Sequence, residues 1–480
     1  MDMNRYDESA AIQQVIGLDD PVTRDIAVER GIMIPMRDGV RLWADRWIPA
    51  AGGDGLPLAL IRSPYKHPGG IEDMLAKPLA ERGFQALIVS IRGREGSEGE
   101  RIPFYSERED GLDTIEWIKR QPWFGGSIIM LGPSYQGCVQ WAIAGVQPPE
   151  VKMLIASESS TVMDKYFLDK TPYALEASVG WGLYMECQKA LDPVAEWMQH
   201  YEDAEKAMST LPIRDIDKKV YGQHLKIVSD LIDSNSGSFY GDDCTKLNIP
   251  MSIIGGWHDT FLSGQLDDFK KMLAAGCPVR LTIGEWCHYS PEMTTLPVYE
   301  AVKFGCPAAT GAALSEAPRV KLYVMGAEEW REYESWPPEG GREKRMYLSL
   351  GGALDEKPVE ESGELRYTYD PEDPTPAVGG RRMLQFPHVE GGRTRNNELE
   401  ARSDVLVFTG SELAEDTEVI GEISAEVWFK SSLKYADIFV RLCDVDENGV
   451  STNICDGITG LTNADEAQAV RIQLSPTAYV

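Results

Sequence analysis

The sequence predicts an α/β fold with a mainly parallel sheet, an inserted all-helical segment and a C-terminal β-sandwich. Three observations lead to this prediction. Short apolar segments at residues 58–62, 86–91 and 128–131 alternate with helix-like stretches, which is typical of a parallel sheet with helical crossovers. Residues 161–245 instead repeat apolar side chains at helical spacing. Beyond residue 310, short strand-like segments alternate with turns rich in Gly, Pro and Asp, as in a β-sandwich.

The same patterns predict where each part begins and ends. Asp38 and Gly39 lie between alternating apolar residues and predict a β-hairpin. Parallel-sheet patterning returns at residues 251–255 and 280–283. We therefore expect the sheet domain at 1–160 and 246–310, a helical cap at 161–245 and the β-sandwich at 311–480. The predicted strands of the sandwich are 320–324, 346–350, 405–409, 420–429 and 438–445.

The charge and the cysteine spacing argue against several classes of protein. The chain carries 47 Lys and Arg against 76 Asp and Glu, a formal net charge of −29. Such a surface repels phosphates, so we expect no nucleic-acid partner and no anionic membrane partner. The eight cysteines include no Cys-x-x-Cys pair and no accompanying histidine cluster, so the spacing of zinc ligands is absent.

The cysteines and the N-terminus together predict the location. Scattered thiols in a large chain indicate a reducing compartment. The first residues, MDMNRYDE, lack the apolar core of a signal peptide, and the apolar runs are too short to span a bilayer. We therefore expect a cytoplasmic protein, and the sequence leaves a homo-oligomer open.

The segment GPSYQG at residues 132–137 is the strongest local signal for chemistry. An apolar strand runs into it and a helix-like stretch follows, so Ser134 lies on a sharp strand-to-helix turn that exposes its oxygen. The usual pattern has glycine two residues after the serine, whereas Gln136 stands there and Gly137 follows. An ordinary tight turn is the alternative interpretation.

A serine hydroxyl needs a base to become a nucleophile, and the base needs an orienting acid. In this type of fold the partners follow the serine in the order acid, then histidine, each just past a strand. Asp259 follows the strand at 251–255, and His288 follows the strand at 280–283. His258 is a rival base, but Asp259 beside it fits the acid. We therefore expect Ser134, Asp259 and His288 to form a catalytic triad.

The developing oxyanion and the substrate also need partners. The backbone amide of Tyr135 follows the nucleophile, and Tyr65 lies in the loop after an earlier strand, where its hydroxyl can serve as the second donor. For Tyr65 a packed loop aromatic is the alternative. Four aromatic residues flank these motifs and are expected to line the substrate pocket, with core packing as the alternative for each. These residues are Trp141, Trp257, Phe261 and Trp286.

The motifs together resemble the family of cocaine esterase, α-amino-acid ester hydrolases and X-prolyl dipeptidyl peptidases. The likeness extends over most of the chain, and the joint order of the motifs is highly specific. Its segments are MRDGV at 36–40, RSPY at 62–65, RGREGSEG at 92–99, QPW at 121–123, GPSYQG at 132–137, GWHD at 256–259, IGEWCH at 283–288, MGAEEWR at 325–331 and YDP at 369–371.

The resemblance implies an α/β-hydrolase domain with a helical cap and a C-terminal jelly roll. It also implies an oxyanion hole formed by the Tyr65 hydroxyl and the Tyr135 amide, and hydrolysis through an acyl-enzyme without metal or cofactor. Two departures stand out. Ser90 replaces an aspartate that is usual in the family, and the family's jelly roll runs further. We therefore expect either an incomplete sandwich with an open sheet edge or another segment that covers this edge.

The leading functional hypothesis is a carboxylic-ester hydrolase that acts on a small molecule. An amide or peptide hydrolase with the same triad, such as an acylase, an α-amino-acid ester hydrolase or an X-prolyl dipeptidyl peptidase, is the first alternative. It would place carboxylates beside the pocket to bind a free α-amino group, and Asp164, Asp169 and Glu186 are candidates. A non-catalytic binding protein with a sugar-binding jelly roll is a weaker alternative.

Overall fold

A ten-stranded mixed sheet forms the centre of the molecule. The computed structural model describes residues 8–235, 244–305, 318–358, 360, 362–384 and 390–480. The strand order is β1-β2-β4-β3-β5-β6-β7-β8-β9-β10, parallel from β4 to β9 and antiparallel at both edges. The strands are β1 (Ile26–Pro35), β2 (Arg41–Pro49), β3 (Leu58–Ser63), β4 (Gln85–Ser90), β5 (Ile128–Pro133), β6 (Val151–Ser157), β7 (Met251–His258), β8 (Val279–Cys287), β9 (Val320–Val324) and β10 (Glu329–Tyr333).

Helices cover both faces of this sheet. One face packs against α3 (Glu107–Ile118), α4 (Tyr135–Ala144) and α10 (Leu262–Ala274). The other packs against α1 (Glu8–Ile16), α2 (Ile71–Ala80) and α11 (Pro291–Glu300). Because both faces are covered, the central strands are mainly apolar, and every residue of β3, β4, β5 and β7 is buried.

The predicted helical segment is helical in the structure. It contains α5 (Met163–Leu168), a π-helical turn (Glu176–Gly180), α6 (Trp181–Cys187), α7 (Pro193–Met208), α8 (Ile216–Tyr221) and α9 (Lys226–Asp233). Its apolar residues divide between two clusters. One packs the helices against each other through Val179, Leu183 and Trp197. The other contains Trp181 and Phe167 together with Tyr135 from the sheet domain, so the helical segment lies beside the carboxyl ends of the strands.

The C-terminal region is all-β but differs in detail from the predicted strands. Val320–Val324 was expected in the sandwich, yet it pairs in parallel with β8 and extends the central sheet. The predicted strand 420–429 is broken into two, because Gly421 has φ +148 and turns the chain. The remaining strands are β11 (Tyr347–Leu348), β12 (Ala353–Asp355), β13 (Thr409–Gly410), β14 (Val419–Gly421), β15 (Ser424–Phe429), β16 (Ala436–Val445), β17 (Ser451–Leu461), β18 (Gln468–Gln473) and β19 (Thr477–Tyr479).

The all-β region pairs its strands in small sheets, and several of its large apolar side chains are exposed. Trp428 is 79% exposed, and Phe439, Tyr435 and Leu433 are also exposed. A short helix, α12 (Asn397–Glu400), precedes β13. The fold class predicted from the sequence, an α/β domain with a C-terminal all-β domain, is confirmed. In the described part of the chain, no helix has the length and apolar character needed to cross a membrane.

Candidate active site

Ser134 lies on the turn between β5 and α4, in a conformation that residues other than glycine rarely adopt. Its φ is 55° and its ψ is −121°. Two glycines make room for this turn. A Cβ on Gly132 would lie 2.2 Å from Oε1 of Gln136, and a Cβ on Gly137 would lie 2.5 Å from the Cβ of Ser159. The turn is therefore sterically tight at both of its glycines.

Gln136 occupies the position where glycine is usual, and its side chain has a defined role. It is fully buried, and its Nε2 donates to Oε1 of Glu72 at 3.0 Å and to Oγ of Ser63 at 3.3 Å. These bonds tie the turn after β5 to the turn after β3. The departure from the usual motif thus adds a hydrogen-bonded link between two loops of the site.

The three residues predicted as a triad lie together at the carboxyl edge of the sheet. Asp259 directly follows β7 and His288 directly follows β8. Oδ2 of Asp259 lies 2.7 Å from Nδ1 of His288, and Nε2 of His288 lies 3.1 Å from Oγ of Ser134. The other oxygen of Asp259 accepts the amide of Phe261 at 2.8 Å, which holds the carboxylate in place. All three side chains are buried.

The rival base, His258, lies elsewhere. It is the last residue of β7, is 3% exposed and faces Gly392 of the all-β region. Burial lowers its pKa to about 4, so it remains neutral over the ordinary pH range. Its Nε2 has no hydrogen-bond partner in the described part of the chain.

The two tyrosines predicted for the oxyanion hole flank Ser134. The Tyr65 hydroxyl lies near Ser134 and near the indole of Trp181, and both neighbours act to lower its pKa. Burial raises the pKa of Tyr65, so its hydroxyl keeps the proton that a donor needs. Tyr135 begins α4, and its own hydroxyl donates to Oε1 of Glu107 at 3.0 Å. Its amide is therefore placed at the positive end of a helix, directly after the serine.

Glu158 is a site residue that the sequence analysis missed. It directly follows β6, is 2% exposed, has φ 51° and has a buried Oε1 without a partner among the described residues. One ligand atom each from Glu158, Asp259 and His288 lie within 4.8 Å of one another. This is the one set of at least three His, Cys, Asp or Glu in the described ranges that is compact enough to hold a metal ion.

The two groups next to His288 affect its protonation. Burial raises the pKa of Glu158 well above its usual range. Burial alone would lower the pKa of His288, but the neighbouring Glu158 and Asp259 outweigh it and raise that pKa to about 9. A charged Glu158 favours the protonated form of His288, and a protonated His288 favours a charged Glu158. The two groups therefore titrate as a coupled pair, and the pKa of each is raised.

The four predicted pocket aromatics do not all lie at the site. Phe261 does: its ring centroid is 5.4 Å from that of His288. Trp141 belongs to the main core cluster. Trp257 packs on Trp336 and donates its indole N–H to the Tyr323 carbonyl at 2.6 Å, and Trp286 packs on Trp330 at 5.6 Å. Trp141 and Trp257 are buried in the core and Trp286 is half-buried, and the ring contacts described for Trp257 and Trp286 are with other tryptophans rather than with the triad.

Aromatic residues of the helical segment lie beside the triad instead. Trp181 stacks on Tyr135 with ring centroids 6.0 Å apart and an interplanar angle of 11°. Phe167 packs against both Trp181 and Phe261, at 5.2 and 6.1 Å. The helical spacing of apolar residues in this segment held no signal that would separate the side facing the triad from the side facing the core.

Comparison with known proteins gives the same picture over nearly the whole chain. The X-Pro dipeptidyl-peptidase (S15) family matches residues 38–290, and the X-Pro dipeptidyl-peptidase C-terminal non-catalytic domain matches residues 312–480. Cocaine esterase from Rhodococcus sp. (strain MB1 Bresler) is 28% identical over 485 residues, which cover 91% of this chain and 83% of that protein.

Two solved structures share the fold. An aminopeptidase from the marine sediment archaeon Thaumarchaeota archaeon has a TM-score of 0.69 and 19% identity, covering 95% of this chain and 87% of its own. An α-amino acid ester hydrolase has a TM-score of 0.64 and 18% identity, covering 96% of this chain and 88% of its own.

Fold and relatives together define the protein as a serine hydrolase with an α/β-hydrolase domain and a C-terminal all-β domain. The chain belongs to the X-Pro dipeptidyl-peptidase (S15) family, which also confirms the resemblance predicted from its motifs. It is therefore an ester or peptide hydrolase that acts on a small-molecule substrate.

Proposed function

We propose that the protein cleaves a carboxylic ester through an acyl-enzyme formed on Ser134. The observation that carries this proposal is the unbroken hydrogen-bond chain from Asp259 through His288 to Ser134, with distances of 2.7 and 3.1 Å. Both ring nitrogens of one imidazole are engaged, one by the acid and one by the nucleophile. This is the arrangement that a general base requires.

In the acylation step, Nε2 of His288 takes the proton of the Ser134 hydroxyl as its oxygen attacks the ester carbonyl. The negative charge that develops on the carbonyl oxygen is stabilised by the Tyr65 hydroxyl and the Tyr135 amide. The imidazolium then gives its proton to the departing alcohol, and Asp259 stabilises the cation while it exists.

In the deacylation step, water takes the place of the alcohol. His288 removes a proton from the water, the hydroxide attacks the acyl carbon, and the same two donors hold the second oxyanion. The proton returns to Ser134 as the acid leaves. Phe261 beside the imidazole and Trp181 beside Tyr65 are buried aromatics that limit the access of bulk water.

Amide or peptide hydrolysis is the second candidate, and one observation favours it. Glu158 and Glu176 both raise the pKa of His288 through their charge, so two carboxyl groups lie near the base. A free α-ammonium group of a substrate would be attracted to these carboxyl groups once they are ionised, which for Glu158 requires a pH above its raised pKa. Glu176, however, already accepts the amides of Met383 and Leu384 at 3.0 and 2.7 Å, which leaves Glu158 as the better candidate.

Matched substrates distinguish the two candidates. We expect leucine p-nitrophenyl ester to be cleaved much faster than leucine p-nitroanilide, and N-acetylation of the ester to have little effect. A burst of nitrophenol, with an acyl group recovered on the Ser134 peptide, marks the intermediate. Ser134→Ala should lower kcat on the order of 10⁶-fold, whereas Ser160→Ala, a buried serine nearby, should not. Activity restricted to substrates with a free α-amine would favour the peptidase candidate.

A further inference from the structure

Two arginines on the loop after β4 have no carboxylate partner in the portion of the chain that is described. Arg94 is 5% exposed; its Nε donates to the Pro64 carbonyl at 2.7 Å, but its buried Nη2 has no partner. Arg101 likewise has a buried Nη1 without a partner. The chain holds 76 acidic against 47 basic residues, so carboxylates are plentiful elsewhere. The absence of a carboxylate partner for these two arginines requires an explanation, because a buried cation is normally paired with an anion.

The ring of Trp181 connects Arg101 to the residues around Ser134. Its guanidinium carbon is 5.7 Å from the centroid of the Trp181 ring. Trp181 belongs to the same aromatic cluster as Tyr65, whose hydroxyl lies near Ser134. The indole of Trp181 also stacks on Tyr135. A group bound at Arg101 would therefore lie beside the proposed oxyanion hole.

The electrostatics leave this spot positive. Burial, and then the charge of Arg94, lower the pKa of Arg101 to about 10, and burial also lowers the pKa of Arg94. A guanidinium nevertheless keeps its charge at neutral pH. The nearest carboxylates, Glu72, Glu95 and Glu186 around Arg94 and Glu107 near Arg101, act on the arginines only through space. Glu107 is itself bound by Arg62 at 2.9 Å and by the Tyr135 hydroxyl. Two like charges held near each other without an ion-pair contact to a carboxylate, among the residues described, favour a bound anion.

We propose that Arg101, supported by Arg94, forms an anion subsite, and that the substrate carries a carboxylate close to its scissile bond. A guanidinium presents its N–H groups as a fork that matches the two oxygens of a carboxylate. The proposal rests on the proposed function for the reaction, but the binding of the anion does not depend on turnover. It narrows the substrate class to half-esters or half-amides of dicarboxylic acids and related anionic acyl compounds.

The first test compares p-nitrophenyl hydrogen glutarate with p-nitrophenyl valerate, which match in chain length and differ in charge. We expect kcat/KM to favour the anionic ester by about 10- to 100-fold, the range of a charge-assisted hydrogen bond. In Arg101→Gln the ratio of the two kcat/KM values should fall at least tenfold. In the control variant Arg120→Gln, which changes an exposed arginine, the ratio should remain unchanged. Equal losses for both esters would mean that Arg101 acts on the oxyanion alone, which overturns the subsite.

The second test measures binding without turnover. Glutarate should raise the Tm of the wild-type protein, glutaramide should not, and the shift should vanish in Arg101→Gln. If that variant does not fold, Arg101→Lys takes its place. Lysine keeps the positive charge but lacks the paired N–H donors of the guanidinium, so the ratio of kcat/KM for the anionic ester to that for the neutral ester should fall at least threefold. No glutarate shift, or one that survives loss of Arg101, overturns the subsite. An arginine-dependent shift without any ester hydrolysis would leave the subsite and refute the proposed function.

Discussion

Replacing Tyr65 with phenylalanine removes one of the two proposed oxyanion donors and almost nothing else. The ring remains, so no cavity forms, and the triad distances are untouched. Loss of one such donor lowers kcat on the order of 10²–10³-fold, or about 2.7–4 kcal/mol of transition-state stabilisation. The Tyr65 hydroxyl is buried, so removing it should also change the free energy of unfolding, by about 1 kcal/mol for one hydrogen bond.

The assay therefore has two readouts. Steady-state hydrolysis of a neutral p-nitrophenyl ester gives kcat and KM, and urea unfolding gives the change in stability. We expect kcat to fall while KM changes little, because the donor acts on charge that develops only in the transition state. Tyr166→Phe is the matched control, since its ring packs edge-on to Phe261 in the same aromatic cluster. A loss of less than threefold in kcat for a folded Tyr65→Phe would refute the oxyanion role.

Three further predictions concern the neighbouring residues. Asp259→Asn should lower kcat on the order of 10⁴-fold, because an amide favours the wrong tautomer of His288. Circular dichroism checks that this variant keeps the fold. A loss in kcat of less than tenfold would contradict the role of Asp259 as the orienting acid. The acidic limb of the pH–rate profile reports the pKa of the His288 imidazolium, which is raised to about 9. Because the charge of Glu158 contributes to this rise, Glu158→Gln should move the limb to lower pH. A limb that does not move would show that Glu158 carries no charge in this pH range. Gly137→Ala should lower both activity and Tm, since its Cβ would lie 2.5 Å from the Cβ of Ser159, and a variant with unchanged Tm would contradict the tight turn.

The positions of the triad residues follow from sequence because strand ends converge. Ser134, Asp259 and His288 come directly after β5, β7 and β8, and parallel strands deliver their carboxyl ends to one edge of the sheet. Order along the chain is then enough to predict proximity. Glu158 stands in an equivalent place after β6, yet a single carboxyl at a strand end has no distinguishing pattern.

The aromatic residues show where this reasoning stops. Trp257 is two residues from Asp259, but its indole N–H reaches the Tyr323 carbonyl, so proximity in sequence did not place it in the pocket. Which face of a strand or helix meets the substrate depends on packing between distant segments. The same holds for Val320–Val324, whose alternating pattern fits an edge strand of either the sandwich or the central sheet.

The role of Arg94 and Arg101 could not be predicted from the sequence either. Arg94 and Arg101 lie among charged residues in a glycine-rich loop, which reads as a solvated turn. Only the folded chain shows that Arg94 is buried and that Arg101 lies over Trp181. The loop contains three arginines, and the sequence does not show that Arg92 pairs with Asp38 and Asp110 whereas Arg94 and Arg101 pair with no described carboxylate.

Labelling with a fluorophosphonate, followed by peptide mass mapping, tests the central claim most directly. The reagent reacts with a serine only when a nearby base activates it, so it reports the assembled chain of Asp259, His288 and Ser134 rather than any one residue. We predict a single adduct on the peptide that contains Ser134, which is absent in Ser134→Ala and forms far more slowly in His288→Gln. An adduct on another serine, or an undiminished rate in His288→Gln, would contradict the account.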